Sequence, residues 1–186
     1  MGIRALSAKL ALRRAAGKVS CAPLSLPLQL KGKSLLVLLP NTLHDLAVVK
    51  KTLPGIIRLF GEESVHLLAP PEGDIRSIFP SKGVRLITPE LGAVGWNRLP
   101  SHAFLHRMQG YSFDYVFDAN IAKNDFAARI LLLYPAAVRF GAAGRLSLPF
   151  LNLEIKTRYG RDLGLMYECI LEVIEHLSQT STTLSS

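Results

Sequence analysis

The sequence predicts an α/β protein, a Rossmann-like three-layer αβα domain with a mostly parallel sheet. Short apolar runs alternate with segments of helical period from residue 33 onward. The apolar runs are continuous, as in "SLLVLLP" (34–40), which is typical of parallel strands that are buried on both faces. The 186 residues, of which 49% are hydrophobic, suffice for one domain with its own core and argue against a disordered chain.

Strand and helix signals follow one another along the chain. Six strands are predicted, at 34–40, 64–70, 83–89, 113–119, 136–142 and 149–155. Five helices are predicted, at 45–60, 73–79, 100–110, 123–135 and 161–177. Asn124 is a favourable N-cap for the fourth of these helices, and Pro135 would stop it. The last helix is amphipathic, and its apolar stripe is predicted at Leu165, Cys169, Val173 and Leu177.

The basic residues are concentrated near the N-terminus. The net charge is +8, yet the first 44 residues hold seven basic residues and no acidic one. The rest of the chain is almost balanced, so the body gives no sign of a nucleic-acid partner and none is predicted. A basic N-terminal extension, residues 1–32, can attract phosphates or anionic lipid headgroups. Peripheral contact with a membrane is therefore one predicted role of this extension.

The first thirty residues leave two interpretations open. They are rich in Ala, Leu, Ser and Arg, a composition that resembles a transit peptide. A loosely ordered extension explains the same composition. Ile3, Leu6 and Leu10 can share one face of a weakly amphipathic helix, and Pro23 and Pro27 then indicate a linker.

Several kinds of site are not indicated by the sequence. No apolar stretch approaches the roughly eighteen residues of a membrane-spanning helix. The cysteines, Cys21 and Cys169, lie far apart and in no CxxC pattern, which predicts reduced thiols in a cytoplasmic protein. His102 and His106 have a spacing found in metal sites, but no carboxylate accompanies them, so no metal is predicted. The glycine-rich fingerprints of nucleotide-binding loops are missing, and no cofactor is predicted.

Three loops follow predicted strand ends, at 40–45, 89–100 and 119–125. Ligands of open parallel sheets bind beyond the carboxyl ends of the strands, so these loops are where a site is expected. The first loop ends in Asp45, the first acidic residue of the chain, at the start of a helix. A carboxylate at this place is either a helix cap or a general base that accepts a proton from a substrate hydroxyl.

The same loops supply candidate substrate-binding residues. These are Asn41, Thr42 and His44 in the first loop, Trp96 and Arg98 in the second, and Asn120 and Lys123 in the third. A lysine at the start of a helix suits a carboxylate or phosphate group, and an aromatic face with an arginine suits a sugar. Capping, ordinary loop polarity and the packing of one aromatic ring explain the same residues as well.

Three stretches resemble the ADP-heptose:lipopolysaccharide heptosyltransferases. The stretch "SLLVLLPNTLHDLAVVKKTLPGIIRLFG" is similar to the opening of that family, an apolar strand, a short loop ending in Gly-Asp, and a helix. "FDYVFDANIAKNDFAARILLLYPAAVRFGAAG" looks like a later strand–helix–strand of the family. "LPFLNLEIKTRYGRDLGLMYECILEVI" is similar to the segment that leaves its first domain. The resemblance covers roughly residues 33–177 in the same order.

The resemblance implies a single half of a GT-B fold and the chemistry of an inverting glycosyltransferase without a required metal. The predicted organisation is the basic extension at 1–32, an acceptor-type domain at 33–160 that the resemblance implies, and a terminal amphipathic helix with its tail at 161–186. In the family the N-terminal half binds a sugar acceptor of the lipopolysaccharide core. The Asp of the Gly-Asp pair is the proposed base, and Asp45 matches it. His44 replaces the glycine of that pair, which changes how closely an acceptor can approach.

The resemblance covers only one of the two GT-B domains, whereas a two-domain enzyme needs on the order of 300 residues. The sequence therefore predicts a domain that is not catalytic alone and needs a donor-domain partner or a homo-oligomer. A non-catalytic glycan-binding or scaffolding module is the alternative. A small nucleotide-binding Rossmann enzyme is a third reading, disfavoured by the missing glycine-rich loops. The predicted location is cytoplasmic, with peripheral contact at the inner face of a membrane.

Overall fold

The computed structural model describes residues 2–72, 75, 78–79, 83–160 and 162–179. The strands are β1 (Leu35–Leu38), β2 (Val65–Leu68), β3 (Arg85–Ile87), β4 (Tyr115–Asp118), β5 (Val138–Ala142) and β6 (Leu153–Ile155). The helices are α1 (Ile3–Ala16), α2 (Leu43–Phe60), α3 (His102–Gln109), α4 (Asp125–Leu131) and α5 (Leu163–Gln179). The helix predicted at 73–79 falls mostly outside the described residues, as does the end of the C-terminal tail.

The six strands form one parallel sheet in the order β3-β2-β1-β4-β5-β6. Parallel pairing confirms the predicted sheet and explains the continuous apolar runs, because both faces are covered. The chain builds outward from β1 in one direction as far as β3, then returns to β4 and builds in the other direction. The strand order therefore reverses between β1 and β4, and open parallel sheets bind their ligands beyond the carboxyl ends of the strands at such a reversal.

Alternate residues of β1 supply the two halves of the core. Leu35 and Val37 belong to a cluster with the apolar residues of α2 and α5. Leu36 and Leu38 belong to a second cluster with residues of α3 and α4. Because successive side chains of a strand point to opposite faces, this division confirms the three αβα layers.

Helix α2 carries the first candidate loop into the structure. The Thr42 side chain caps it by accepting a hydrogen bond from the Asp45 amide. Its buried stripe, spaced three and four residues apart, is Leu46, Val49, Leu53, Ile56 and Phe60. The guanidinium of Arg58 holds Glu175 on α5 through two hydrogen bonds of 2.6 and 2.8 Å. The start of α2 is therefore fixed by a cap and its far end by α5.

The predicted stripe of α5 is wrong. Leu165 is 43% exposed, and Cys169, Val173 and Leu177 are only partly buried. The buried residues are Met166, Tyr167, Ile170, Leu171 and Ile174. The helix packs against both α2 and the sheet, so its contact face is wider than a single row and is rotated by about one residue from the predicted row.

Most elements differ from their predicted bounds by one or two residues, and helix α4 and strand β6 each differ by four residues at one end. Helix α4 begins after its Asn124 cap, as predicted, but it ends at Leu131 instead of reaching Pro135. The amides of Leu133 and Tyr134 bond to carbonyls three residues back, which tightens and closes the last turn. Strand β6 begins at Leu153 rather than at 149, because 147–151 form a hydrogen-bonded turn before it.

The N-terminal residues are part of the folded body, unlike the loosely ordered extension and linker that the composition allowed. Ala8 and Leu12 of α1 are buried in a cluster with Leu99 and Ala128 of α4. Further along, Leu28 and Leu30 are 3% and 5% exposed and join the main core. Within the described residues, no helix is both long and apolar enough to cross a membrane.

Candidate ligand-binding cleft at the strand ends

We call the region beyond the carboxyl ends of β1 and β4, where the strand order reverses, the cleft. The loop after β1 leads through Asn41 and Thr42 into α2, and the loop after β4 leads through Asn120 to the cap of α4. Two adjacent parallel strands with their helices thus direct both loops into one crevice. The sequence predicts a site at the loops 40–45 and 119–125, and both loops lie at this edge of the sheet.

Asp45 occupies the first turn of α2, and the residue is partly buried. Its amide donates to the Thr42 hydroxyl oxygen over 3.1 Å, so Thr42 is the cap and not Asp45. Among the described residues, no hydrogen bond or ion pair holds the Asp45 carboxylate. The carboxylate lies at the positive end of the α2 helix dipole.

A chain of asparagine side chains joins the two loops. The Asn120 amide donates to the Asp118 carboxylate over 2.7 Å and to the Leu38 carbonyl over 3.3 Å. The Asn124 amide donates to the side-chain oxygen of Asn120 over 2.8 Å and to that of Asn41 over 3.3 Å. This network fixes the loop after β1 relative to the loop after β4. Asn120 is only 8% exposed, so its side chain forms part of the buried floor of the cleft.

Asp118, the last residue of β4, is a second carboxyl group in the cleft. It is 9% exposed. Burial raises its pKa to about 6, against the opposing effect of the Asn120 hydrogen bonds and of the positive charge of Arg145. Near neutral pH this group passes between a neutral donor and a charged acceptor. A carboxyl with a pKa displaced towards neutrality in a strand-end cleft is a typical feature of functional sites.

Tyr167 of α5 reaches the same cleft from the helical layer that also contains α2. Its hydroxyl donates to the Ala119 carbonyl over 2.6 Å. Burial raises the pKa of this hydroxyl, and the nearby Asp45 and Asp118 carboxylates raise it further, so the group stays protonated. Tyr167 was not among the sequence candidates. The available signal was a phenol at a buried position of an otherwise apolar helix face, since a buried tyrosine hydroxyl needs a partner.

The wall of the cleft beyond β5 depends on a close backbone approach. A β-carbon at Gly141 would lie 3.1 Å from the Asp118 carbonyl oxygen and 3.4 Å from its β-carbon. Glycine at this position lets β5 lie tightly beside Asp118. Arg145, in the exposed turn that follows, contributes the positive charge that acts on Asp118 and Tyr167. Arg145 was also not predicted from the sequence.

Two predicted residues of these loops lie at the rim. His44 is exposed at the start of α2, next to Asp45, as a solvent-facing side chain. The Lys123 ammonium group is 3.1 Å from the Asp125 carboxylate, and its side chain is 70% exposed. Neither side chain takes part in the network of the cleft floor. Both can meet a ligand that extends out of the cleft.

Trp96 and Arg98 lie elsewhere. Their loop folds into a tight turn, in which the Gly95 amide donates to the Leu99 carbonyl over 2.8 Å. Trp96 lines a groove against α1 together with Arg14 and Lys18. No described contact joins the Trp96 loop to the asparagine network or to Asp45. The structure therefore brings together Asn41, Thr42, Asp45 and Asn120, and separates them from this aromatic loop.

The cleft offers oxygen and amide groups rather than a metal-ligand set. Within the ranges that the structure describes, no group of three or more His, Cys, Asp or Glu side chains has the arrangement of a metal site. His102 and His106 are exposed on α3, and neither belongs to a group of this kind. Carboxylate and amide groups of this kind can form hydrogen bonds with the hydroxyl groups of a ligand.

No family model matches the sequence, and no curated protein matches it significantly. Solved structures do match its fold. A glycosyl transferase of family 9 from Veillonella parvula DSM 2008 has a TM-score of 0.60 and 15% identity, over 84% of this chain and 45% of that one. The E. coli heptosyltransferase WaaC, solved with ADP, has a TM-score of 0.56 and 17% identity, over 82% of this chain and 49% of that one.

The chain thus spans about half the length of the solved glycosyltransferases that it matches. The predicted likeness to heptosyltransferases is confirmed at the level of fold. The described domain has a Rossmann-like α/β architecture, with a parallel six-stranded sheet between two helical layers, and this fold matches about half of each solved glycosyltransferase.

Proposed function

We propose that this domain is the acceptor-binding half of a heptosyltransferase-like glycosyltransferase and that its cleft takes a sugar hydroxyl of a lipopolysaccharide-core acceptor. The observation that carries the proposal is the Asp45 carboxylate. It stands without a protein partner among the described residues, at the strand-end crevice of a fold that is shared with glycosyltransferases. Asp118, Asn120 and Asn41 beside it supply further groups that recognise hydroxyls.

In the proposed reaction, Asp45 accepts the proton of the acceptor hydroxyl as its oxygen attacks the anomeric carbon of a nucleotide-linked heptose. The new glycosidic bond forms as the bond to the nucleotide diphosphate breaks, and ADP leaves with the bonding electrons from the opposite face. The configuration at the anomeric carbon is inverted. Asp118 and Tyr167 would hold the Asp45 side of the cleft in place and hydrogen-bond the acceptor.

Donor binding belongs to a separate Rossmann-like unit in this proposal. The solved neighbours are about twice as long as the matched region, and one of them was solved with ADP. Such a unit can come from a partner chain, from a second copy or from further residues of the same protein. The domain is proposed to act in the cytoplasm, where nucleotide sugars are available, and to need neither metal nor cofactor.

Binding and turnover test the proposal separately. Isotope-labelled protein is titrated with a deacylated lipopolysaccharide-core oligosaccharide, and amide shifts are followed by NMR. We expect shifts at 41–45 and 118–124, and about tenfold weaker binding for Asn120→Ala, with Asn97→Ala as a matched control outside the cleft. Shifts confined to other regions would contradict the proposed site.

Turnover is measured as ADP release from ADP-heptose with the same acceptor. We expect none from this chain alone, so turnover by the isolated chain would exclude the half-enzyme proposal. Supplied with a donor-binding domain, the wild type should turn over and Asp45→Asn should lose at least about a hundredfold in kcat, since a general base typically contributes that much. Asp45→Asn should leave acceptor binding within about twofold, because the amide keeps the shape and one acceptor oxygen.

A non-catalytic glycan-binding module is the second candidate, and the observation that favours it is His44. Its side chain is exposed beside Asp45, where the similar family carries a glycine. A bulky ring at this place narrows the approach to Asp45. His44→Gly should raise turnover with a donor domain if the ring only hinders approach. Binding without turnover in both proteins would favour the module.

A further inference from the structure

The outward face of α1 is apolar although it does not pack on the body. Successive residues of a helix are turned by about 100°, which places Ile3, Leu6 and Leu10 opposite the buried Ala8 and Leu12. Ile3 is 78% exposed, and Leu6 and Leu10 are each 46% exposed. The side of α1 that faces α4 is therefore buried, and the opposite side exposes a stripe of large apolar side chains to solvent.

Basic side chains border this stripe on both sides. The same helical geometry puts Lys9 and Arg13 along one edge and Arg14 along the other. All three side chains are exposed, and the first 44 residues contain no acid. Lys18 continues the second edge beside Arg14, in the groove that it shares with Trp96. The charge around the stripe is therefore positive throughout.

Trp96 extends the apolar stripe from the neighbouring loop. Its ring is 65% exposed and lines a concavity with Leu6, Leu10 and Arg14. The loop that carries it is anchored, since the Ser101 amide donates to the Ala93 carbonyl over 2.8 Å and Leu99 is buried against α1. The indole is thus held at a fixed place beside the helix. We call Ile3, Leu6, Leu10, Trp96 and the flanking basic residues the α1–Trp96 surface.

The α1–Trp96 surface combines exposed apolar side chains with a basic border, and this combination indicates the kind of partner that it binds. Helices that lie in a membrane interface combine large apolar side chains with lysine and arginine on the borders, and tryptophan is enriched at that depth. Basic side chains near an anionic bilayer each contribute about 1 kcal/mol, or about fivefold in partitioning. A nucleic acid would match the charge but not the exposed apolar stripe. A bilayer with anionic headgroups matches both.

We propose that the α1–Trp96 surface docks the domain onto an anionic phospholipid bilayer, with Leu6, Leu10 and Trp96 entering the interface and Arg13 and Arg14 at the headgroups. The surface lies on the α4 side of the sheet, and α1 is held there by packing. Docking therefore does not require the helix to leave the body. This inference does not depend on the proposed transferase function, because no residue of the cleft takes part in it.

Trp96 is the only tryptophan of the chain, so its fluorescence reports on this surface directly. The full chain is mixed with phosphatidylcholine vesicles that contain phosphatidylglycerol, and with pure phosphatidylcholine vesicles. With the anionic vesicles we expect a blue shift of the emission, quenching by brominated lipids and co-sedimentation that weakens as salt is added. With the neutral vesicles we expect much weaker binding.

Paired variants separate the charge contribution from the apolar one. Removing two cations in Arg13→Gln/Arg14→Gln should weaken binding to anionic vesicles by about 30-fold. The control Lys50→Gln/Lys51→Gln, at two exposed positions of α2, should change this binding little. Leu6→Gln/Leu10→Gln should abolish the blue shift and weaken binding at least about tenfold. Glutamine keeps helix propensity close to that of the residues it replaces, and circular dichroism would verify the fold.

Several outcomes would overturn the inference. One is the absence of binding to anionic vesicles by the folded chain. Another is binding that both surface variants retain. A blue shift that appears without vesicles and grows with protein concentration would assign the surface to a second copy instead. Binding to an oligonucleotide that matches the vesicle affinity and survives Leu6→Gln/Leu10→Gln would assign it to nucleic acid.

Discussion

The Tyr167 hydroxyl donates a hydrogen bond of 2.6 Å to the carbonyl oxygen of Ala119. Ala119 directly follows β4, and Tyr167 belongs to the last helix, so this bond ties the terminal element to the floor of the cleft. The Tyr167 ring also packs edge-on against Phe117 of β4, with 6.0 Å between the ring centroids. Helix α5 therefore shapes the candidate site and is more than a covering layer.

Replacing Tyr167 by Phe removes the hydroxyl and leaves the buried Ala119 carbonyl without that donor. We expect Tyr167→Phe to lower the free energy of unfolding by about 1 to 2 kcal/mol, as for other unsatisfied buried groups. Urea denaturation measures the change. Tyr111→Phe is the control, because its ring is 39% exposed, and its effect should stay within about 0.5 kcal/mol. Equal effects of the two substitutions would contradict the role assigned to Tyr167.

The pKa of Asp118 predicts a pH-dependent stability. Burial raises this pKa to about 6, so the folded state holds the proton to a higher pH than the unfolded state does. Between about pH 4 and pH 6 the folded state binds more protons, and the Asp118 contribution to stability decreases as the pH rises. Above about pH 6 the cost of the buried charge is constant, at about 2 to 3 kcal/mol.

Asp118→Asn removes this charge and keeps an oxygen that can accept the Asn120 hydrogen bonds. We therefore expect the variant to be more stable than the wild type at pH 8, by about 2 kcal/mol, and to lose this advantage at pH 4. Denaturation curves across this range measure the difference. Asp162→Asn, at an exposed position before α5, should show no comparable change. A difference that does not vary with pH would contradict the raised pKa.

The Thr42 side chain should both stabilise α2 and position Asp45, because it caps the helix at the Asp45 amide. Thr42→Ala removes the cap on the Asp45 amide and should cost about 1 kcal/mol in unfolding free energy. Thr52→Ala is a matched control on the same helix, because the Thr52 hydroxyl bonds to the Val48 carbonyl, which the helix already satisfies. It should be neutral or slightly stabilising, since alanine favours helix. NMR shifts of the Asp45 amide in Thr42→Ala would show the local displacement.

The sequence predicts local structure well where the signal lies in neighbouring residues. The apolar run at β1, the helix expected from Asp45 and the Asn124 cap all follow from neighbours in the chain, whereas the Thr42 cap was not predicted. Tyr167 could not be placed in the same way, because its partner Ala119 lies 48 residues away and only tertiary packing brings them together. Trp96 shows the reverse case. Its loop follows a strand end, but β3 is at the sheet edge, and the tryptophan meets α1 rather than the central crevice.

Composition also underestimates how firmly the residues before β1 belong to the body. A segment with two prolines and many small residues is typical of a linker, yet the Leu28 amide donates to the Leu177 carbonyl over 3.0 Å. Likewise, the Tyr115 hydroxyl donates to the Gln29 carbonyl over 2.9 Å. These are long-range contacts that periodicity does not report. They imply that the folded unit begins before residue 33.

Leu28→Ala tests whether this segment contributes to the core. Leu28 is 3% exposed, so truncation should cost about 2 to 4 kcal/mol. Leu26→Ala, at a position that is 54% exposed, should change stability by less than about 0.5 kcal/mol. Thermal and urea unfolding of the full chain measure both. Similar small effects at the two positions would restore the picture of a linker that is detached from the body.

The buried Arg139 side chain also forms a hydrogen bond with a residue of the N-terminal segment. Its side chain is fully buried in β5, and its guanidinium donates to the Cys21 sulfur over 2.9 Å and to the Leu131 carbonyl over 3.4 Å. The second contact is long, and the Arg139 Nε has no hydrogen-bond partner among the described residues. Cys21 is therefore the strongest polar neighbour of a buried cation, and its removal should leave that charge poorly solvated.

We expect Cys21→Ala to destabilise the fold by about 1 to 3 kcal/mol, and Cys169→Ala, at a partly buried position on α5, to cost clearly less. The double variant Cys21→Ala/Arg139→Met should recover part of the loss, because an apolar chain of similar length removes the charge that needs a partner. Urea denaturation of the wild type, Cys21→Ala, Arg139→Met and the double variant gives the coupling between the two residues. Additive losses, with no recovery in the double variant, would show that Cys21 contributes by packing alone.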